Sequence, residues 1–308
     1  MELISSLPCC IVTIVSPAGC CFGFVLDKRN LHNLSSFSNS KLVKPESFSR
    51  IQDHPECLRN SKMNEKEITI AFISDLHYSS TRNLACPERR GEYMPALLAG
   101  TVKYLNRTVR PDLVLCGGDL INAPAAEDAS RLTGILSSIL GLLDMPFLVI
   151  RGNHDLLQEK FTRYFPFHAA AEAGFVRIVA FDDPELPGYN AVRTPEDLKR
   201  MKQAADGWDG ILFSFQHTPL LPPGQCIYGY ENAEEILALL KDCGYRGTLS
   251  GHYHSGIPLK KEDGLQFLVQ NAMCEPPFTG TLLRIGRNGI IAAEPFGCGD
   301  HCKSLDLS

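Results

Sequence analysis

Ile150-Arg151-Gly152-Asn153-His154-Asp155 is the stretch from which the rest of the chain is read. The apolar run Met145 to Ile150 reads as a buried strand, and it stops abruptly in glycine and a block of side chains able to bind metal. In open α/β sheets, ligands bind outside the carboxyl ends of the strands. The same event recurs four times. Asp75-Leu76-His77 follows the run Ile68 to Ser74, and Gly118-Asp119 follows Asp112 to Cys116. His217 follows Ile211 to Phe215, and Gly251-His252-Tyr253-His254 follows Gly247 to Ser250.

Helical patterns fill the gaps between these strands. Met94, Leu97, Leu98, Thr101, Val102 and Leu105 recur at helical spacing. Ala125 to Leu143 predicts a second helix, with Leu132, Ile135, Leu136, Ile139, Leu142 and Leu143 on its apolar face. Thr194-Pro195-Glu196-Asp197 is an N-cap with proline at the first helical position, and this helix runs to about Ala205. Asn232 with Glu235 predicts a capped start to a helix that Gly244 ends. Beyond His254, Leu265 to Gln270, Thr281 to Ile285 and Gly289 to Ala293 read as strands joined by turns. The fold class is α/β.

Composition bounds the partners. The chain has 308 residues, 44% hydrophobic and 21% charged, enough for one large domain or two ordinary ones. A net charge of -5 speaks against a nucleic-acid surface. The twelve cysteines show no disulfide framework, which favours reduced thiols and a cytoplasmic setting. Residues 1–62 differ from the rest. Leu3 to Leu26 are uncharged but interrupted by Pro8, Pro17, Gly19 and Gly23, and Asn30 to Arg59 are rich in serine. A disordered leader is the plainest reading, with an organellar or membrane-targeting leader, or an extension upstream of a start at Met63, as alternatives. Residues 63–308 form the expected domain, with no membrane span.

Five of the nine histidines lie in the strand-end motifs. Singly, each would more often be a hydrogen-bonded structural residue; with the aspartates beside them the balance reverses. Carboxylate oxygen and imidazole nitrogen together suit mid-series divalent metals such as Mn, Fe or Zn. Asp75, His77, Asp119, Asn153, His217, His252 and His254 are too many ligands for one ion, and fit two ions that share a carboxylate. Two such ions, roughly 3.5–4 Å apart, can generate hydroxide and clamp an in-line displacement at phosphorus.

The ordered set Asp-x-His, Gly-Asp, Gly-Asn-His-Asp, His, Gly-His-x-His resembles the calcineurin-like metallophosphoesterase superfamily over residues 68 to about 285. That resemblance implies a four-layer α/β/β/α sandwich with a dinuclear centre. It implies Asp75, His77 and His254 on the first metal, Asn153, His217 and His252 on the second, and Asp119 between them. His154 would meet the phosphoryl oxygen or protonate the leaving group, and Asp155 would orient His154 or its loop.

The chain resembles the class III cyclic nucleotide phosphodiesterase branch more than the protein phosphatases. Those carry an arginine soon after the bridging aspartate, where this chain reads Leu120-Ile121-Asn122-Ala123-Pro124. Many phosphodiesterase-like members have aspartate where Asn122 stands. The stretch Gln270-Asn271-Ala272-Met273-Cys274-Glu275-Pro276-Pro277-Phe278 also resembles that branch. The expected activity is hydrolysis of a small or nucleotide-like phosphodiester by a metal-bridging hydroxide. A phosphomonoesterase is the alternative, and a non-catalytic scaffold belongs to a third class.

Specificity is expected in loops 78–92, 156–175 and 219–231. Arg89, Arg90, Tyr228 and Tyr230 are candidates to line a cleft, against the reading that they are solvated. Asn122 reads as a turn residue, and Cys298 to Cys302 as a tail without a second ligand pair.

Overall fold

The computed structural model describes residues 67–298 and, earlier in the sequence, two strands, β1 (Cys9–Val15) and β2 (Cys21–Asp27), which pair antiparallel. The remaining readings made on residues 1–62, and the tail beyond Cys298, fall outside the described residues.

The domain begins with β3 (Ile68–Ile73), almost all of it buried, as the middle strand of a sheet covered on both faces requires. Helix α1 (Met94–Tyr104) leads through a π-helical turn to β4 (Leu113–Cys116). Helix α2 (Ala129–Leu140) leads to β5 (Phe147–Val149). A short turn α3 (Gln158–Phe161) precedes the hairpin β6 (Ala170–Ala173) and β7 (Val176–Ala180). A small hairpin follows, β8 (Glu185–Leu186) with β9 (Asn190–Ala191). Then come α4 (Pro195–Ala205), β10 (Ile211–Phe215), α5 (Ala233–Asp242) and β11 (Gly247–Ser250). The chain ends with β12 (Ile257–Glu262), β13 (Leu265–Val269), β14 (Thr279–Gly286) and β15 (Gly289–Gly297).

Two sheets result, one in the order β15-β14-β3-β4-β5 and one in the order β12-β13-β11-β10-β7-β6. Alternation along the strands divides the apolar residues among three cores. Ile70, Phe72, Leu115, Ile178, Phe213 and Leu283 pack between the sheets. Ala71, Ile73, Val114 and Val149 face outward under Leu97, Leu98, Leu132 and Leu136 of α1 and α2. Val179, Leu212, Phe267 and Val269 face the other way, under Met201, Ile236 and Leu240 of α4 and α5. Three cores separate four layers, α/β/β/α.

Local rules explain most element ends. Thr194 accepts from the backbone of Asp197, as its cap position predicts. Gly244 turns the chain after α5 at a φ of +73°. Two expectations fail. Asn232 does not cap α5, because its amide pairs with both backbone groups of Arg193. The α2 pattern was drawn too long: the helix stops at Leu140, and Leu142 is 59% exposed in the turn beyond. Among the described residues, no helix is long and apolar enough to cross a membrane.

Register positions the site. Ile73 lies beside Cys116, and Cys116 beside Val149, so three parallel strands end level. In the other sheet, Phe215 lies beside Leu249. The loops leaving these strands stay tied by backbone bonds: Asp75 and His77 donate to Gly118 and Asp119, Gly251 donates to His217, and Met273 and Cys274 donate to Ser74 and Asp75.

Candidate metal centre at the strand ends

The structure brings all seven expected ligands to one cleft. Asp75, His77 and His254 form one group, and Asp119, His217 and His252 another. Asp119 touches both, with Oδ2 3.4 Å from His77 Nε2 and 3.3 Å from His217 Nε2. Asn153 Oδ1 lies 3.2 Å from His217 Nε2. Asp75, His77 and Asp119 are almost wholly buried, whereas Asn153, His252 and His254 are partly open to solvent.

Backbone strain presents these side chains. Asp75, His77, Asp119 and His252 have φ of 56°, 45°, 51° and 67°, the left-handed region that non-glycine residues seldom enter. Close approach also demands glycine at 152: a Cβ there would lie 2.2 Å from Asp119 Oδ1.

The outer nitrogens of three imidazoles are already committed. His217 Nδ1 donates to the Gly117 carbonyl at 2.7 Å, and His252 Nε2 to the Tyr189 carbonyl at 3.1 Å. His254 Nδ1 donates to the carboxylate of Glu275. Their inner nitrogens then carry lone pairs, and these lone pairs converge. His252 Nδ1 is 3.1 Å from His217 Nε2, and His77 Nε2 is 3.0 Å from His254 Nε2. At these distances each pair of facing nitrogens needs a proton or a metal ion to hold it together.

Charge tells the same story. Burial raises the Asp75 carboxyl and drives the His77 imidazole well below its usual range. Burial, with His217 beside it, pulls His252 down to about 3. Burial also opposes a charge on His217, yet the Asp119 carboxylate outweighs it and pushes that imidazole up to about 10. Burial thus favours the neutral form of His77 and His252, the form that binds metal, while Asp119 favours positive charge beside it at His217. The donor set fits divalent cations.

His154 sits beside this cluster. Its backbone N–H donates to Asp119 Oδ1 at 2.7 Å, and its Nδ1 donates to the Asn122 carbonyl at 2.7 Å. Asn122 lies in a bend, as expected, and it is its backbone oxygen that aims His154. Asp155 serves the loop. Its oxygens accept from the backbone of Leu120, Ile121 and Gly152 at 2.8, 3.3 and 2.9 Å. Glu275 was missed as a partner for His254, although it stands in a stretch already singled out. Arg89 reaches Glu275 at 4.0 Å, while Arg90 is engaged with Glu92 and Tyr93.

The calcineurin-like phosphoesterase family matches residues 68–256, three-fifths of the chain. The chain belongs to that family. Among curated proteins it is similar to a probable cyclic nucleotide phosphodiesterase from Rhodococcus erythropolis, at 22% identity over 66% of this chain and 72% of the relative. Among solved structures it shares the fold of a dimetal phosphatase from Danio rerio, with a TM-score of 0.59 and 17% identity over 75% of this chain and 99% of that one. It also shares the fold of a purple acid phosphatase from yellow lupin seeds, with a TM-score of 0.53 and 12% identity over 77% of this chain and 52% of that one. Membership makes the chain a metal-binding hydrolase of phosphoric esters, a calcineurin-like phosphoesterase whose motifs are those at the strand ends.

Proposed function

We propose that this calcineurin-like phosphoesterase hydrolyses a small, nucleotide-like phosphodiester. Asp75, His77 and His254 would hold one divalent cation and Asn153, His217 and His252 a second, with Asp119 within reach of both groups. Mn, Fe and Zn all suit these nitrogen and oxygen donors. The bound cations supply a water of lowered pKa and Lewis acidity towards phosphorus.

The chain's own groups do the rest. Asp119 fixes the spacing between the two halves and, through Oδ1, the backbone of His154. With Nδ1–H held by the Asn122 carbonyl, His154 keeps Nε2 for the leaving oxygen, to which the doubly protonated ring can pass its Nε2 proton, leaving the neutral Nδ1–H form. Asp155 is a positioning residue for the loop that carries His154.

One observation favours the diester. The arginines flanking the cleft already face carboxylates, Arg151 that of Asp182 at 2.9 Å and Arg89 that of Glu275 at 4.0 Å. A phosphomonoester brings a second negative charge that these pairs leave uncompensated, whereas a diester brings one. The Rhodococcus relative, named as a probable cyclic nucleotide phosphodiesterase, supports the same reading. The test uses the full chain supplied with Mn, comparing bis(p-nitrophenyl) phosphate with p-nitrophenyl phosphate. Higher kcat/KM on the diester is expected; preference for the monoester overturns the proposal.

We also read the cytoplasm as its compartment. The six cysteines between residues 67 and 298 are free thiols, which supports this. A full-length fluorescent fusion should spread through the cytoplasm. Capture in an organelle or at a membrane would give residues 1–62 a targeting role instead.

A further inference from the structure

Beside the metal cleft lies a larger cavity. The cleft over Asn153, His217 and His252 encloses only about 40 Å³. The neighbouring cavity, between the β8–β9 hairpin and loop 219–231, encloses about 510 Å³, the size of a small-molecule site. Tyr230 lines both. Tyr228 is the partition: its ring stands 4.6 Å from that of His252, at 64°, and it also lines the larger cavity. A group held there would be separated from His252 only by the Tyr228 ring.

The lining limits what that group can be. Leu221, Pro222, Pro223 and Ile227 form apolar walls, and Ile227 is 74% exposed with no apolar cover. No lysine or arginine lines the cavity, so a second phosphate has no counter-charge there. Most polar side chains are already engaged. Asn190 bonds the backbone of Gly229 and Pro187, and the Tyr230 hydroxyl donates to Asp183. Glu231 is the one acidic lining residue, exposed and without a side-chain partner among the described residues.

We propose that this cavity is the base subsite of the enzyme, and that Glu231 selects a nucleobase with an exocyclic amino group. The apolar walls and the Tyr228 ring take the flat faces of the base. The Glu231 carboxylate accepts from the amino group, as acidic side chains do from cytosine N4, and repels a carbonyl oxygen at that position. A quaternary ammonium group also suits aromatic rings and a carboxylate, but it would leave most of the volume unfilled.

The inference rests on the phosphodiesterase reading, and the experiment separates the two. Cytidine, adenosine, uridine, inosine and choline are titrated into the full-length protein, with binding followed by ligand-observed NMR. Turnover of bis(p-nitrophenyl) phosphate, which carries no base, is measured on the same preparation. Cytidine and adenosine should bind about tenfold tighter than uridine and inosine, a difference of about 1.4 kcal/mol. Glu231→Gln, at an exposed position that does not threaten folding, should erase that ratio. Equal binding of all four nucleosides, or choline binding tighter than any of them, overturns the base subsite even where the diester is hydrolysed. Amino-selective nucleoside binding without diester turnover upholds the subsite and overturns the phosphodiesterase reading.

Discussion

On one side of Asp119, a carboxylate side chain holds the imidazole: Glu275 takes the outer N–H of His254, and Asp75 completes the group. On the other side, His217 and His252 are held by the backbone carbonyls of Gly117 and Tyr189, and the further oxygen donor is the neutral amide of Asn153. Each half brings two imidazoles, with different charge behind them. A carboxylate behind a ligating histidine raises its basicity, and each added negative ligand tightens a cation. By that rule the half containing Asp75 is expected to fill first and hold its cation longer. The half containing Asn153 is the more easily emptied.

The largest effect should come from the residue that belongs to both halves. Asp119→Ala is expected to strip both cations and reduce diester turnover to background, read by metal analysis alongside kinetics. Two cations retained per chain would mean that the halves do not depend on a shared carboxylate. Next comes His154→Ala. Turnover should fall by about 10²–10⁴-fold with metal content unchanged, since a proton donor is lost and no ligand is. Lost metal in this variant would place His154 among the ligands.

Glu275→Gln tests the asymmetry itself. Affinity for the tighter cation should fall by about 10–100-fold, with the weaker one little changed, in a competition titration against a chelator. Equal weakening of both would dissolve the distinction between the halves. The smallest effect is expected from Asn153→Asp. An added charge should tighten the weaker cation by about tenfold, or 1.4 kcal/mol, and bring the two affinities together. No change in the stepwise titration would show that the charge count on that side is not what sets its affinity.

The same contrast shows what was legible in the amino-acid sequence. Every expected ligand could be named because metal chemistry restricts residue type, and the strand ends place those types at recurring positions. Glu275 left a weaker signal. It is an acid after a strand, and only the chain path brings it to His254. The carbonyls of Gly117, Asn122 and Tyr189 left none, because any residue supplies a carbonyl and only the fold decides where it points. Secondary structure divides in the same way. α1, α4 and β10 follow from apolar spacing and caps. The hairpin β8–β9 and strand β6 were not anticipated, being only two and four residues long and carrying no pattern of their own. They matter all the same, since the β8–β9 hairpin carries Tyr189 against His252.

The left-handed conformations at Asp75, His77, Asp119 and His252 carry a consequence for selection and engineering. Each costs roughly 1–2 kcal/mol for a side chain bearing a Cβ, against a net stability of about 5–15 kcal/mol for a whole domain. Glycine would adopt these angles without that cost. A screen for heat resistance alone would therefore be drawn towards glycine at the very positions that face the cleft, and its most durable survivors would be inactive. Screens on this scaffold that demand turnover at every round would keep those four residues and find their gains in the loops and helices far from the strand ends.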